Sequence, residues 1–312
     1  MKVLDVADLG PRTRIGEGGE AAVYKSHLVH SPESVVCVKE TKEILTHGIA
    51  DVEDRRVSAV LASLLQELRI SAHKVLKDHP NILHVVGVAF QQESFEAVRP
   101  LVVVELACGT LACQFPLSPV DERLRLSRDV ADGLVALHAY GIVHGDVKGD
   151  NALVFARPTG LVAAISDFGG SCPEGSSDVI PATPEFFAPE VYNHSTLHSA
   201  HANRKPRDVY SFGLLLCQGV LGESVFGGIA PDERFVLQDK DGARSYVAEK
   251  LANLSGSPLN TDLRKIIDSC LVRHPGERPS MLEVSRRLSA MLGEVRCVGL
   301  TFLCGIVMLK IR

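Results

Sequence analysis

The stretch Val143-His144-Gly145-Asp146-Val147-Lys148-Gly149-Asp150-Asn151 decides how the rest of the chain is read. A helical pattern precedes it and the apolar run Ala152-Leu153-Val154-Phe155 follows, so it reads as a loop between a helix and a strand. An acid, a base two residues on and an amide three beyond that point from one short loop into a common space. A second turn, Asp167-Phe168-Gly169, closes the strand pattern Leu161-Val162-Ala163-Ala164-Ile165, and its acid stands sixteen residues after Asn151.

Asp146, Lys148, Asn151 and Asp167 are the residue types that phosphoryl transfer from a nucleotide to a hydroxyl requires. One carboxylate orients the attacking hydroxyl, while an amide and a second carboxylate hold Mg²⁺ on the phosphates. On these residues the sequence resembles the protein kinase family, whose catalytic loop and Asp-Phe-Gly turn it nearly repeats. The resemblance covers about residues 10 to 293. It implies ATP and Mg²⁺ as cofactors, with Asn151 and Asp167 on the metal and Lys148 on the γ-phosphate. Asp146 would then accept the proton of a serine or threonine hydroxyl in a protein substrate.

With 312 residues, 46% apolar and 23% charged, the chain can bury a substantial core and is not expected to be disordered. A net charge of −5 and scattered Lys and Arg give no reason to expect nucleic acid as a partner. None of the eight cysteines forms a Cys-x-x-Cys pair or has a nearby His at zinc-ligand spacing, so free thiols in a reducing, cytoplasmic compartment are expected. Met1-Lys2-Val3-Leu4-Asp5 has no long apolar core and carries an early acid, unlike a signal peptide.

Along the chain, residues 14–25 read as strand, glycine turn, strand, and Ser34 to Lys39 as the next strand. Apolar residues at helical spacing from Val57 to Ile70 predict a helix from Asp54 to about Leu76, stopped by His79-Pro80-Asn81. Strands are expected over Ile82 to Phe90 and Pro100 to Leu106, with a boundary at Cys108-Gly109. Beyond it come helices: Val120 to Tyr140 with Leu124, Leu126, Val130, Leu134 and Leu137 inward, then Asp208 to Leu221, apolar nearly all round. Further helical patterns cover about Asp232 to Asn253, Thr261 to Cys270 and Ser280 to Leu292. Strands first and helices after predict an α+β, bilobal fold. Its small lobe spans about 10–106, its hinge about 105–109 and its helical lobe about 110–293, with an apolar tail over 294–312.

The resemblance assigns further roles. Ile15, Gly16, Glu17, Gly18, Gly19, Ala21 and Val23 would cover the nucleotide, backbone N–H groups approaching phosphate where Cβ is absent. Ala21 stands where the family has a third glycine. Cys37 would lie against the adenine and Val104 at the back of its pocket, with the backbone of Glu105 and Ala107 bonding the adenine edge. Lys39 would contact the α- and β-phosphates and pair with Glu67 on the long helix, four residues before Ser71, where the family prefers an apolar residue.

Gly145 replaces the family's arginine, so activity is not expected to depend on phosphorylation between Phe168 and Glu190. His-Gly-Asp with Asn five on also fits small-molecule phosphotransferases, and Ala21, Gly145 and Ser71 suggest a nucleotide-binding scaffold with little catalysis. Against the first stand Ala188-Pro189-Glu190, Arg278 where the family pairs it with that glutamate, and Asp208 placed to brace the catalytic loop. Against the second stands the presence of Lys39, Asp146, Asn151 and Asp167 together. Lys148 and Thr183 follow the serine/threonine pattern, and the block around Thr183 looks most like the tyrosine-kinase-like group. The apolar run from Cys297 to Leu309 is thirteen residues, short of the ~20 that span a bilayer, so packing or surface contact is expected rather than insertion.

Overall fold

The computed structural model describes residues 2–18, 21–42, 45–46, 55–95, 97–176, 183–192, 204–227, 229, 242–253 and 261–293. The chain divides into two compact units, one of residues 1–110 with 153–171, the other of 111–152 with 172–312. Strands thus come first and helices after, the expected α+β order. The first unit ends its leading stretch at Thr110 and also takes in residues 153–171.

In the first unit, β1 (Lys2–Val3), β2 (Thr13–Glu17), β3 (Ala21–Leu28), β4 (Ser31–Thr41), β6 (Val85–Ser94) and β7 (Ala97–Glu105) form one sheet in the order β1-β6-β7-β4-β3-β2, and β5 (Leu45–Thr46) also pairs with β7. β1 is parallel to β6, and the other pairings are antiparallel. Val36, Val38, Ala89, Leu101 and Val103 alternate inward from three neighbouring strands, and Leu4, Val6 and Leu9 from the leading segment pack on them. β1 lies so close to β6 that a Cβ on Gly87 would sit 2.7 Å from the Lys2 carbonyl oxygen.

Helix α1 runs from Arg55 to Ser71 and ends before the expected Leu76. The imidazole Nδ1 of His73 accepts the N–H groups of Val75 and Leu76 at 3.4 and 3.3 Å, drawing the backbone out of the helical ladder into a short 3₁₀ turn, Leu76–Asp78. The strand expected from Ile82 starts at Val85 instead, because Ile82 bridges to Ile165 and the Leu83 N–H bonds the Ile165 carbonyl at 2.9 Å. β8 (Gly109–Thr110), β10 (Ala152–Arg157) and β11 (Gly160–Ile165) form a second sheet in the order β11-β10-β8.

In the second unit, α2 (Leu111–Gln114), α3 (Val120–Ala139), α4 (Pro189–Tyr192), α5 (Lys205–Leu221), α6 (Gly242–Ala252), α7 (Thr261–Cys270) and α8 (Met281–Met291) are joined by the two-residue strands β9 (Ile142–Val143) and β12 (Cys172–Pro173). α3 packs on α5 and α8, and its expected inner residues Leu124, Leu126, Val130, Leu134 and Leu137 are all buried; full burial of Leu134 and Leu137 stabilises the unit by about 1.5–3 kcal/mol each. α5 is buried on every side from Val209 to Cys217, so it is the axis of this unit. Gly222, left-handed at φ 79°, ends it by donating to the Gln218 carbonyl. No helix among the described residues is long and apolar enough to cross a membrane, and the run from Cys297 to Leu309 lies outside the described residues.

Candidate active site

In the first unit, register sets the geometry. Gly16 faces Val23 and Glu17 faces Ala22 across β2 and β3, and the Gly18 N–H bonds the Ala21 carbonyl at 2.8 Å. Gly19 lies outside the described residues. Ile15 is half exposed, and the Glu17 carboxylate turns to Lys42 at 2.8 Å and to Arg14, so its side chain is engaged in surface pairs. Cys37 is buried directly opposite Val104 in the β4–β7 ladder, and burial pushes its thiol pKa up. Val104 is fully buried at the end of β7; Glu105 pairs its carboxylate with Arg157 at 2.8 Å, and Ala107 follows on the partly exposed connection to β8.

Lys39 projects from β4, and its Nζ lies 2.9 Å from Glu67 Oε1 on α1. Burial works against its ammonium, but Glu67 and then Asp167 outweigh it, so the pKa is raised and the charge is held. Asp167 has φ 64°, the one left-handed residue other than glycine among the described residues. Such a backbone is costly for an L-residue and recurs where a side chain must be aimed. Phe168 beside it is fully buried, and Gly169 approaches α1 so closely that a Cβ would fall 2.0 Å from Ser63 Oγ.

In the second unit the loop after β9 is built around Asp146. Its Oδ2 accepts from Lys148 Nζ at 2.7 Å and Asn151 Nδ2 at 2.8 Å, and its Oδ1 accepts the Thr183 N–H at 2.8 Å. Lys148 Nζ also bonds Thr183 Oγ1, and Asn151 Nδ2 returns to the Asp146 carbonyl at 2.9 Å. Burial pushes the Asp146 carboxyl up, but Lys148 and the Thr183 N–H outweigh it and hold it below the usual carboxylate range. Gly149 lets the loop press on α2, since a Cβ there would stand 3.0 Å from the Ala112 nitrogen.

Asp208, at the start of α5, accepts the His144 N–H at 2.8 Å and the Gly145 N–H at 2.9 Å. His138 Nε2 lies 2.8 Å from the same carboxylate, and despite complete burial the acid is held below its ordinary pKa by His138, His144 and the Gly145 N–H. Arg278 grips Glu190 with two bonds of 2.7 Å, donates to the carbonyls of Val272, Arg273 and Pro206, and lies 5.0 Å from the Tyr210 ring centre.

The structure therefore brings Lys39, Glu67 and Asp167 together in one unit. In the other it brings together Asp146, Lys148, Asn151 and Thr183, with Asp208 behind the loop and Glu190 on Arg278. Three residues that sequence reasoning left out also support the loop: His144, whose Nδ1 accepts the Asp146 N–H at 3.2 Å, Arg207, which donates to the Gly145 carbonyl at 2.8 Å, and His138, which acts at one remove through Asp208. His144 lay inside the motif itself; nothing near His138 or Arg207 in the sequence marks them.

Two polar constellations of this composition on a sheet unit and a helical unit define a protein kinase domain. The family model of that domain matches residues 11–287, and the chain belongs to the protein kinase family. Among its relatives are the serine/threonine-protein kinase PkaA of Streptomyces coelicolor, 29% identical over 89% of this chain, and dual specificity testis-specific protein kinase 1 of Mus musculus, 29% identical over 92%. Wall-associated receptor kinase 5 of Arabidopsis thaliana is 27% identical over 89% of this chain. The chain spans 46%, 42% and 37% of those proteins, less than half of each.

Proposed function

We propose that the chain is a protein serine/threonine kinase that transfers the γ-phosphate of ATP to protein hydroxyls. The observation that carries this reading is the Asp146 carboxylate, ionised and aimed by Lys148, Asn151 and the Thr183 N–H at once. A carboxylate so held can orient a hydroxyl and take its proton, and Lys148 beside it can stabilise the phosphoryl group in transit. Lys39, fixed by Glu67, would steady the α- and β-phosphates under the turn from Ile15 to Val23, with Cys37 against the adenine, Val104 at the back of its pocket and the Glu105 and Ala107 backbone at its edge.

The donor set suits Mg²⁺, which prefers oxygen ligands: Asp167 offers a carboxylate, and Asn151, whose NH₂ group holds Asp146, has an amide oxygen as its other polar atom. When bound, the metal would neutralise charge on the phosphates. Most of the rate enhancement then comes from positioning and electrostatics. Thr183 on Lys148 favours serine or threonine as acceptor, and free thiols at the six described cysteines suit a reducing, intracellular setting.

The test is transfer of labelled γ-phosphate to generic protein substrates, followed by phosphoamino-acid analysis. Label on serine and threonine, lost in Asp146→Asn, supports the reading. Equal label on tyrosine would shift it to dual specificity, the activity named for the testis-specific relative. Nucleotide binding without transfer would leave a scaffold.

A further inference from the structure

Arg207 is a buried cation for which the reaction above has no use. It stands in the first turn of α5, 3% exposed, where two effects oppose it: loss of water around the charge, and the positive end of the helix dipole. Burial does lower its pKa, against the pull of Asp208, Asp146 and Glu190, yet a guanidinium stays charged. Its Nη2 donates to the Gly145 carbonyl at 2.8 Å, and its guanidinium carbon lies 5.8 Å from the Phe187 ring centre.

That carbonyl belongs to the peptide joining Gly145 to Asp146, so fixing it fixes the plane from which the acid projects. The next residue of the same helix, Asp208, takes the N–H groups of His144 and Gly145. Adjacent side chains of one helical turn thus grip both edges of the loop, one by its amides and one by its carbonyl. Gly145 is left-handed at φ 83° and contributes no side chain, so the positive charge behind the loop comes from the helix. At 3% exposure the guanidinium is closed to a phosphate arriving from solvent.

We propose that Arg207 is a positioning residue for phosphoryl transfer: it locks the Gly145–Asp146 peptide from within, so the loop is aligned without phosphorylation of the segment after Gly169. This rests on the kinase reading. The experiment uses the full chain, treated with phosphatase, and compares wild type with Arg207→Met and Arg207→Lys. Arg207→Met is expected to lower kcat at least about 30-fold while the KM for ATP moves less than about twofold, since the loss falls on alignment rather than nucleotide binding. Arg207→Lys, which keeps the charge and one donor, should recover part of that loss, remaining roughly fivefold below wild type. Phosphatase treatment itself should leave wild-type kcat within about twofold of the untreated chain.

Amide hydrogen exchange over residues 144–146 should quicken at least about tenfold in Arg207→Met and less in Arg207→Lys, with Tm within a few degrees of wild type. A folded Arg207→Met with wild-type loop exchange, or with kcat within about threefold of wild type, would overturn the proposal, as would loss of wild-type kcat on phosphatase treatment. If Arg207→Met does not fold, wild-type exchange and kcat in Arg207→Lys overturn it instead. A wild-type chain that transfers no phosphate defeats the kinase reading, and the exchange measurement then decides the role of Arg207 by itself.

Discussion

The turn between β2 and β3 and the loop after β9 are both assigned to one reaction, and they are built by opposite means. All five residues of β2 are exposed, and the side-chain bonds of Glu17 there are surface pairs with Arg14 and Lys42. In the loop, Val143, His144, Gly145, Val147, Gly149 and Asn151 are buried, and Asp146 and Lys148 nearly so. Surface ion pairs of the first kind contribute little, so what the turn can offer a ligand is its backbone. In the loop Asp146, Lys148 and Asn151 hold one another in a low-dielectric setting, and removing one leaves the others stranded. Side-chain chemistry is therefore concentrated where water is scarce, and backbone chemistry where it is plentiful.

The hardest test of that contrast is Asp146→Asn. The amide is isosteric and can still accept the Thr183 N–H, but its NH₂ then faces the donors of Lys148 and Asn151, so Tm should fall by a few degrees while kcat falls by about 10²–10⁴-fold. A fall of less than about tenfold would break the buried half of the comparison. Arg278→Ala extends the contrast to stability. It strands Glu190 without its two bonds of 2.7 Å and should cost about 3–5 kcal/mol in urea unfolding, typical of a broken buried pair.

His79 shows that the first unit also has a guarded interior. Burial lowers its pKa from 6.5 to about 4, so between those values the unfolded chain binds a proton that the folded chain refuses. Stability should be complete above pH 6.5 and fall by up to about 3 kcal/mol as pH drops toward 4. Urea unfolding at pH 7 and 4.5 should show a shallower loss in His79→Gln. The smallest effect belongs to the exposed turn. A Cβ on Gly16 meets only Val23, at 3.9 Å, so Gly16→Ala should change stability by less than about 1 kcal/mol in the same assay.

Part of this was legible in the chain because it rests on local pattern. The five residues that helical spacing turned inward on α3 are all buried, and the family resemblance pointed to Glu67, whose carboxylate lies 2.9 Å from Lys39 Nζ across 28 residues of sequence. What was not legible depends on partners far away. His138 is 70 residues from Asp208 and Arg207 is 62 from Gly145, and neither carries a periodic signature. The apolar spacing of α1 ends at Ile70, and the expected helix runs on toward the His79-Pro80-Asn81 stop although His73 diverts the backbone first, a competition that hydrophobicity alone does not register. The hairpin 153–171 follows the loop after β9 in sequence yet packs with the sheet unit, since Ala163 and Ile165 are bonded by Asn81 and Leu83.

The notch at Gly87 makes the first few residues a plug. Extensions or fusions that pull Lys2–Leu4 away would uncover a ready-made groove along β6, and a strand borrowed from a neighbouring molecule would fit it as well as the chain's own. A valine at 87 should evict the plug outright.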